Sequence, residues 1–505
     1  MRLPKPTTRL RQALAGTLAA TLLVGCGTTV ASETSGSTSG TSSTASSVVA
    51  TDATTVGGAL GDDVEVETGD ISYDEADAVD VTLSGTSGTS DSDAVTSEDG
   101  TVTISAAGTY VLNGDLDGQV VVDSSGDGVV RLVLDDASIT SSTTAAIDVV
   151  DAESVVVVLA DGSSNALADA ATYDDTSEDA PTGALYSTAD LTIGGSGSLT
   201  VTGRSNNGIV GKDGLVITGG SIDVTSVDDG IIGKDYLAIT DGTVTVDAVD
   251  DGIKSDNTED AGAGFVLIEG GDVTVTSQDD GIKGVQVLVA GGTIDVAGST
   301  EAMEGSLIII DDGDIELHSA DDGVNVASSD DGAATDGQAG MGGGMEADES
   351  LHLYVNGGTL EVWASGDGLD SNGSATITGG DITVYGPTTD GNGALDVNGT
   401  FEVTGGTLMA VGSAGMMVAP STDSAQGWLA TALASTASTG SEVVITDESG
   451  AEVAAYTLEK DAASVVFSSA DIEQGATYTV TVDGTATEVT EGVAPAGGRG
   501  GPVGG

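Results

Sequence analysis

Eight times between Leu215 and Ala410 the sequence sets two alternating apolar residues before a small turn pair and two more after it. The turn pairs are Gly219-Gly220, Asp241-Gly242, Gly270-Gly271, Gly291-Gly292, Asp312-Gly313, Gly357-Gly358, Gly379-Gly380 and Gly405-Gly406, at steps of 22, 29, 21, 21, 45, 22 and 26. Leu215 and Ile217 precede the first pair and Ile222 and Val224 follow it; Leu237, Ile239, Val244 and Val246 repeat the offsets around the second. Alternation of period two means strands with one face inside. A strand–turn–strand unit repeated at a fixed short period means stacked repeats whose like side chains share one core. The reading is an all-β fold: a right-handed parallel β-helix of about 21–22 residues per coil with a small β-rich C-terminal cap. The long steps are loops, Asp256–Gly264 and the Gly/Met-rich stretch between Ala327 and Ser350. A β-sandwich would not keep these offsets over eight units, and the nine-residue Gly/Asp repeat of a calcium β-roll is absent.

The rest of the chain divides by composition. Residues 1–26 have a basic start, an apolar run from Ala13 to Val24 and a small-residue end. The run is too short to span a bilayer and reads as a secretory signal. Residues 27–75 are rich in Ser, Thr, Gly and Asp and read as a tether. Residues 76–435 are expected to form the parallel body, 436–490 the cap, and 491–505 a Gly-rich tail. Gln119–Val122, Val130–Leu134 and Val155–Leu159 read as strands of earlier coils.

Charge narrows the partners. There are 81 acidic residues and 12 basic ones, for a net charge of −69, and four of the basic residues lie in the first eleven positions. Nucleic acid and anionic lipid surfaces would meet repulsion, and cations are the natural counterpart.

The acids are not scattered. Nine residues after each first turn residue comes a second turn: Asp228-Asp229-Gly230-Ile231, Asp250-Asp251-Gly252-Ile253, Asp279-Asp280-Gly281-Ile282 and Asp321-Asp322-Gly323-Val324. Between the last two stands Thr300-Glu301-Ala302-Met303-Glu304; Asn206-Asn207-Gly208-Ile209 comes earlier and Gly366-Asp367-Gly368-Leu369-Asp370 later. The glycine is expected to supply a positive φ and the next residue to return to the core. Turn propensity accounts for one aspartate per turn, not for two in successive coils. Strands about 4.8 Å apart bring like charges close enough to repel by about 1 kcal/mol in water and roughly 3–4 at an effective dielectric of 20. Oxygen ligands clustered without His or Cys suit Ca2+. The expected ligands are Asp228, Asp229, Asp250, Asp251, Asp279, Asp280, Glu301, Glu304, Asp321, Asp322, Asn325, Asp367 and Asp370, with Asp256 as a further oxygen donor.

A second column points to sugar. Six residues after the turn, on the outer face, come His318, Trp363 and Tyr385, with Glu316, Glu361 and Asp381 nearby. In consecutive coils these rings would form a short platform for successive sugars, with the carboxylates accepting hydroxyls.

Leu23-Val24-Gly25-Cys26 resembles the bacterial lipobox, which implies cleavage before Cys26, the chain's single cysteine, and lipid attachment to its thiol. The body resembles the bacterial carbohydrate-binding-domain lipoproteins whose clostridial member is a calcium-binding β-helix similar to pectate lyases. The resemblance covers roughly residues 77–489. It rests on Gly108-Thr109-Tyr110-Val111-Leu112 through Asp117-Gly118-Gln119, the Asp-Asp-Gly-Ile turns, Glu301-Ala302-Met303-Glu304-Gly305, Asp321-Asp322-Gly323-Val324-Asn325, and Ser468-Ser469 to Gly475-Ala476-Thr477-Tyr478. It implies binding of plant-type or acidic polysaccharide. A lyase needs calcium and a basic proton acceptor. No arginine occurs between Arg204 and Arg499, and Lys212, Lys234, Lys254 and Lys283 read as counter-charges to nearby aspartates. The expectation is a monomeric, non-catalytic polysaccharide-binding protein held to the outer face of the cell membrane by lipid. A calcium-dependent polysaccharide lyase and a structural surface protein are the alternatives.

Overall fold

A computed structural model describes residues 53–61, 64, 66–126, 128–177, 180–328, 347–495 and 499–500. The signal segment, Cys26, the first part of the expected tether and most of the loop before Ser350 lie outside these residues.

The fold is all-β and mostly parallel. One five-residue helix, Val56–Leu60, is the only α-helix among the described residues, and 37 strands join in one sheet. From Ser164 to Ser255 the strands come in sets of three, each pairing in parallel with the strand three places further on; where neighbouring strands of a repeat run together the step is two. Thus Gly214–Ile217, Ser221–Ser226 and Ile231–Gly233 pair with Tyr236–Ile239, Thr243–Asp247 and Ile253–Ser255. The register is Leu215 to Leu237, Ile222 to Val244 and Ile231 to Ile253, so every inner column joins like residues. The apolar offsets of the sequence are the columns of the structure. The inner column Ile209, Ile231, Ile253, Ile282, Met303, Val324, Leu369 belongs to one core running through the repeats. Its members are almost entirely buried, each worth roughly 1.5–3 kcal/mol by removal from water. The earlier strands are present as Gln119–Asp123, Val129–Thr140 and Ser154–Leu159.

The two turns use glycine differently. At the first, Gly220, Gly242, Gly271, Gly292, Gly313, Gly358, Gly380 and Gly406 all have positive φ, between 76° and 125°, where a side chain is strained. At the Asp-Asp-Gly turn the expected positive φ is not found. There the constraint is space: a Cβ on Gly252 would sit 2.3 Å from Val275 Cγ1 and 2.6 Å from the Gly281 carbonyl oxygen. The acidic turn is pressed against the next repeat.

The described part of the expected tether is not free chain. Asn356 Nδ2 donates to the Thr54 carbonyl (2.7 Å) and the Val56 amide to Asp311 Oδ2 (2.9 Å). Further on, the Glu67 amide donates to the Tyr236 hydroxyl, the Gly69 amide to Thr192 Oγ1, and the Arg131 guanidinium to the Asp70 carbonyl. As residue number rises along this strap, its partners step back through the repeats. Val56, Val64 and Val66 lie on outward apolar residues including Tyr236, Phe265, Leu288 and Ile309. Those exposed stripes need a cover, and the apolar residues among the strap's Ser, Thr and Asp supply it.

At the far end the sheet turns antiparallel. Ala462–Ser468 pairs antiparallel with Thr407–Gly412, the last strand of its column, and with Trp428–Ala437. Four strands between Glu442 and Thr490 form a separate antiparallel sheet.

Candidate functional site

The acidic turn and the short strand after it build two adjacent columns of side chains. The first is Asn207, Asp229, Asp251, Asp280, Glu301, Asp322 and Asp367. The second, three residues later and pointing out from the strand, runs Ile232, Lys254, Lys283, Glu304, Asn325, Asp370 and Asp396 in unbroken register. Pairing of neighbouring repeats thus brings together residues far apart in the chain.

The first column has a structural task that the sequence did not disclose. Asn207 Oδ1 accepts from the Asp229 amide (2.9 Å), Asp229 Oδ1 from the Asp251 amide (3.1 Å), and Asp251 Oδ1 from the Asp280 amide (3.1 Å). Asp322 and Asp367 accept in the same way from the amides of Asp367 and Gly393. These five side chains each satisfy a backbone donor of the next repeat, which would otherwise be costly to bury. The signal was there in Asn207, which does the same work without charge.

What remains unsatisfied is charge. Carboxylate oxygens converge within 4.8 Å of one another in three groups: Asp228, Asp229 and Asp250; Asp250, Asp251 and Asp279; and Asp280, Glu301 and Glu304. Burial, with Lys254 pulling the other way and Asp251 adding repulsion, raises Asp229 to about 6. Burial and the charge of Glu304 raise Asp280. Asp228 and Asp279 are raised as well, burial first and neighbouring aspartates next.

Two lysines enter this region. Lys254 Nζ lies 2.7 Å from Asp251 Oδ2 and 3.5 Å from Asp229 Oδ1. Lys283 contacts Asp280 and lies 3.1 Å from Glu304 Oε2. Burial favours loss of their protons, but the facing carboxylates outweigh it and hold both lysines charged, with raised pKa values. Beside them is a cavity of about 260 Å³ lined by Lys254, Ser255, Thr258, Lys283, Glu304 and Ser306. Two roomier hollows, at Ala78–Ser92 and between Asp447 and Tyr478, lie on other segments. Asp256 does not join the columns; it is exposed and pairs with Lys234 at 2.7 Å.

Beyond Glu304 no ammonium follows. Asn325 donates to Glu301 Oε2 (2.7 Å), and its own Oδ1 is buried with no hydrogen-bond partner among the described residues. Asp322 is pushed up to about 7 and Asp367 to about 6, by burial first and neighbouring carboxylates after it. Asp370 is raised well above the usual carboxylate range by burial and by Asp322, Asp367 and Asp396. Asp396 faces Asp370 in register and was missed in the sequence, because the turn before it lacks the aspartate pair. The signal that finds it is Leu395, the next member of the inner column. Asp321 is exposed at the rim.

The rings come together in three consecutive repeats, as their spacing implied. Their arrangement corrects the sugar platform. His318 and Trp363 stack at 4.5 Å and 10°, Trp363 and Tyr385 at 5.4 Å and 24°. Their faces cover one another, so the ladder offers edges rather than successive flat surfaces. Tyr385 is buried, and Trp363 packs against the same C-terminal cluster. His318 at the open end binds Glu316 at 2.9 Å. Glu361 lies beside Glu316 in register, while Asp381 is exposed at its strand's start.

The chain resembles known proteins over this same region. It matches the family described as carbohydrate-binding domain-containing protein over residues 98–391 and 286–433. A carbohydrate-binding domain-containing protein of Acetivibrio thermocellus is 42% identical over 126 residues, 24% of this chain and 44% of that protein. The chain therefore spans less than half the length of that relative. A solved structure, a polysaccharide lyase-like protein from C. thermocellum as its gadolinium derivative, is 34% identical, with 46% of this chain and 96% of that one covered and a TM-score of 0.43. The family match spans well over half of the sequence and contains both side-chain columns, so the chain belongs to the carbohydrate-binding domain-containing protein family.

Proposed function

We propose that this protein is a surface-anchored, non-catalytic polysaccharide-binding protein whose acidic columns hold calcium. In this reading the parallel sheet winds as a right-handed β-helix, and Cys26 carries the lipid that tethers it to the membrane. The observation that carries the proposal is the pair of register-locked columns from Glu301 to Asp396. Six carboxylates and one amide stand there in adjacent repeats, and beyond Glu304, which Lys283 reaches from the preceding repeat, neither column brings a lysine or arginine. The donor set is all oxygen, as Ca2+ requires. Asn325 Oδ1, buried and unpartnered, fits as a neutral ligand beside Glu301, Asp322 and Asp370. A bound calcium would supply the positive charge that lets these acids ionise together, and would leave coordination positions for the carboxylates or hydroxyls of a glycan. Family membership supports carbohydrate as the ligand class. An acidic polysaccharide suits these columns only through the metal, since the protein's own net charge is −69.

The lyase alternative would need a basic side chain that accepts a proton. Lys254 and Lys283 stand in the second column, but their carboxylate partners keep them protonated, so binding is the better supported reading. The test is retention on polygalacturonate and on cellulose, with calcium and with chelator. Retention that needs calcium is expected. Equal retention in chelator would remove the metal from the function, and release of unsaturated sugars would make the protein a lyase.

A further inference from the structure

The second column changes its chemistry along its length. It reads Ile232, then Lys254 and Lys283, then Glu304, Asn325, Asp370 and Asp396, all joined by parallel pairing. The first column is acidic from Asp229 to Asp367, so the lysines mark a boundary in how its charge is met.

Their placement is that of a bridging cation. Lys254 reaches Asp251 in its own repeat at 2.7 Å and Asp229 in the preceding one at 3.5 Å. Lys283 contacts Asp280 in its own repeat and Glu304 in the following one at 3.1 Å. Each ammonium therefore links acids of adjacent repeats, the position a metal would take to relieve the same repulsion. All three groups of converging carboxylates share members with these pairs: Asp229 in one, Asp251 in another, Asp280 and Glu304 in the third. A metal at any of them would compete with an attached ammonium for the same oxygens. The contacts are largely sheltered, with Asp251 and Asp280 side chains only 3% and 4% exposed. Charge pairs in such places are screened little, and breaking one leaves an uncompensated ion. From residue 284 to 459 the sequence has no lysine or arginine, and Lys460 donates to the Ala364 and Tyr385 carbonyls instead.

We propose that Lys254 and Lys283 are in-chain counter-ions that take the place of metal between Asp228 and Glu304, confining divalent-cation binding to the lysine-free stretch that ends at Asp396. The inference rests on the calcium reading of the acidic columns for its second half only. The protein then has one part of its acidic face that is folded and neutralised without metal, and another that responds to calcium. The fixed part supplies a rigid base, and the responsive part is where a glycan is gained or lost with the ion.

The experiment uses the folded protein stripped of metal with chelator, and counts calcium ions by calorimetric titration while following thermal unfolding. Lys254→Met and Lys283→Met should each melt lower than the wild type in chelator, bind one more calcium ion, and recover the lost stability when calcium is added. Lys254→Gln, which deletes the charge but keeps a polar end, should gain an ion as well and gives a second reading should a Met variant fail to fold. The double variant Asp280→Asn/Lys283→Met, which removes both charges of one pair, should fold without calcium and gain none. Unchanged ion counts in the lysine variants would overturn the inference, as would a loss of stability that calcium does not repair. If the wild type binds no calcium while the variants do, the counter-ion role stands and the calcium reading of the lysine-free stretch falls. If the wild type binds calcium and the variants bind no more, the counter-ion role alone falls.

Discussion

Two ladders run up the outside of the sheet, one of carboxylates from Asp228 to Asp396 and one of rings from His318 to Tyr385. Both come from the same device, parallel register that stacks equivalent residues in successive repeats. The outcomes are opposite. Rings 4.5 and 5.4 Å apart satisfy one another, and such contacts add roughly 0.5–1.5 kcal/mol each beyond burial. Carboxylates at similar spacing repel, and the repulsion accumulates with every repeat. Register thus multiplies whatever a side chain does to its copy. An aromatic ladder closes on itself and becomes packing, while a carboxylate ladder stays open and asks for cations from the chain or from solution.

The largest expected effect separating the two ladders is the response to pH. In metal-free protein Asp229 and Asp367 stand at about 6 and Asp322 at about 7, above the ordinary aspartate value. Between those values and the unfolded value near 4 the folded state holds more protons than the unfolded one. Stability should therefore fall as pH rises from about 4 to about 7, by on the order of several kcal/mol for the set. Melting in chelator at pH 5 and pH 7.5 checks this, and calcium should flatten the part of the slope that comes from Asp322 and Asp367. A melting temperature that rises with pH across that window would mean that the acids are already neutralised.

A smaller effect is expected from the rings. Trp363→Ala removes the middle of the stack and a contact with the C-terminal cluster, and should cost about 3 kcal/mol in denaturant unfolding. Its calcium response should be that of the wild type. Intact stability together with lost polysaccharide retention would instead make the ring ladder a binding surface and undo the contrast. Smallest is Glu316→Gln, which breaks the contact with His318. Those side chains are 53% and 38% exposed, so the change should be at most about 0.5 kcal/mol. A clear loss of polysaccharide retention by this variant would place sugar at the ladder's edge.

Much of this was legible before any coordinates. Offsets around Gly219-Gly220 and its counterparts give the inner columns, because alternation and period leave one register that buries the Ile, Leu and Val at those offsets. The acidic turns follow from the same register. Asp396 was hidden because it was sought through an aspartate pair rather than through Leu395. The direction of the rings was hidden because spacing shows which residues meet, and not whether they meet by face or by edge. The strap was masked by composition: Ser, Thr, Gly and Asp hide Val56, Val66 and Ile71, whose value depends on apolar stripes that only the folded sheet presents. The role of Gly252 and its equivalents depends on a neighbour 29 residues on, Gly281.

The central claim is that the lysine-free end of the carboxylate ladder holds calcium. Calorimetric titration of calcium into chelator-stripped wild type and Asp370→Asn tests it most directly, since burial and neighbouring carboxylates hold the Asp370 carboxyl well above the usual range and it stands in register between Asn325 and Asp396. The account predicts saturable binding by the wild type and loss of that binding in the variant, which should itself be at least as stable as the wild type in chelator. Equal calcium binding by the two proteins, or none by the wild type, would contradict it.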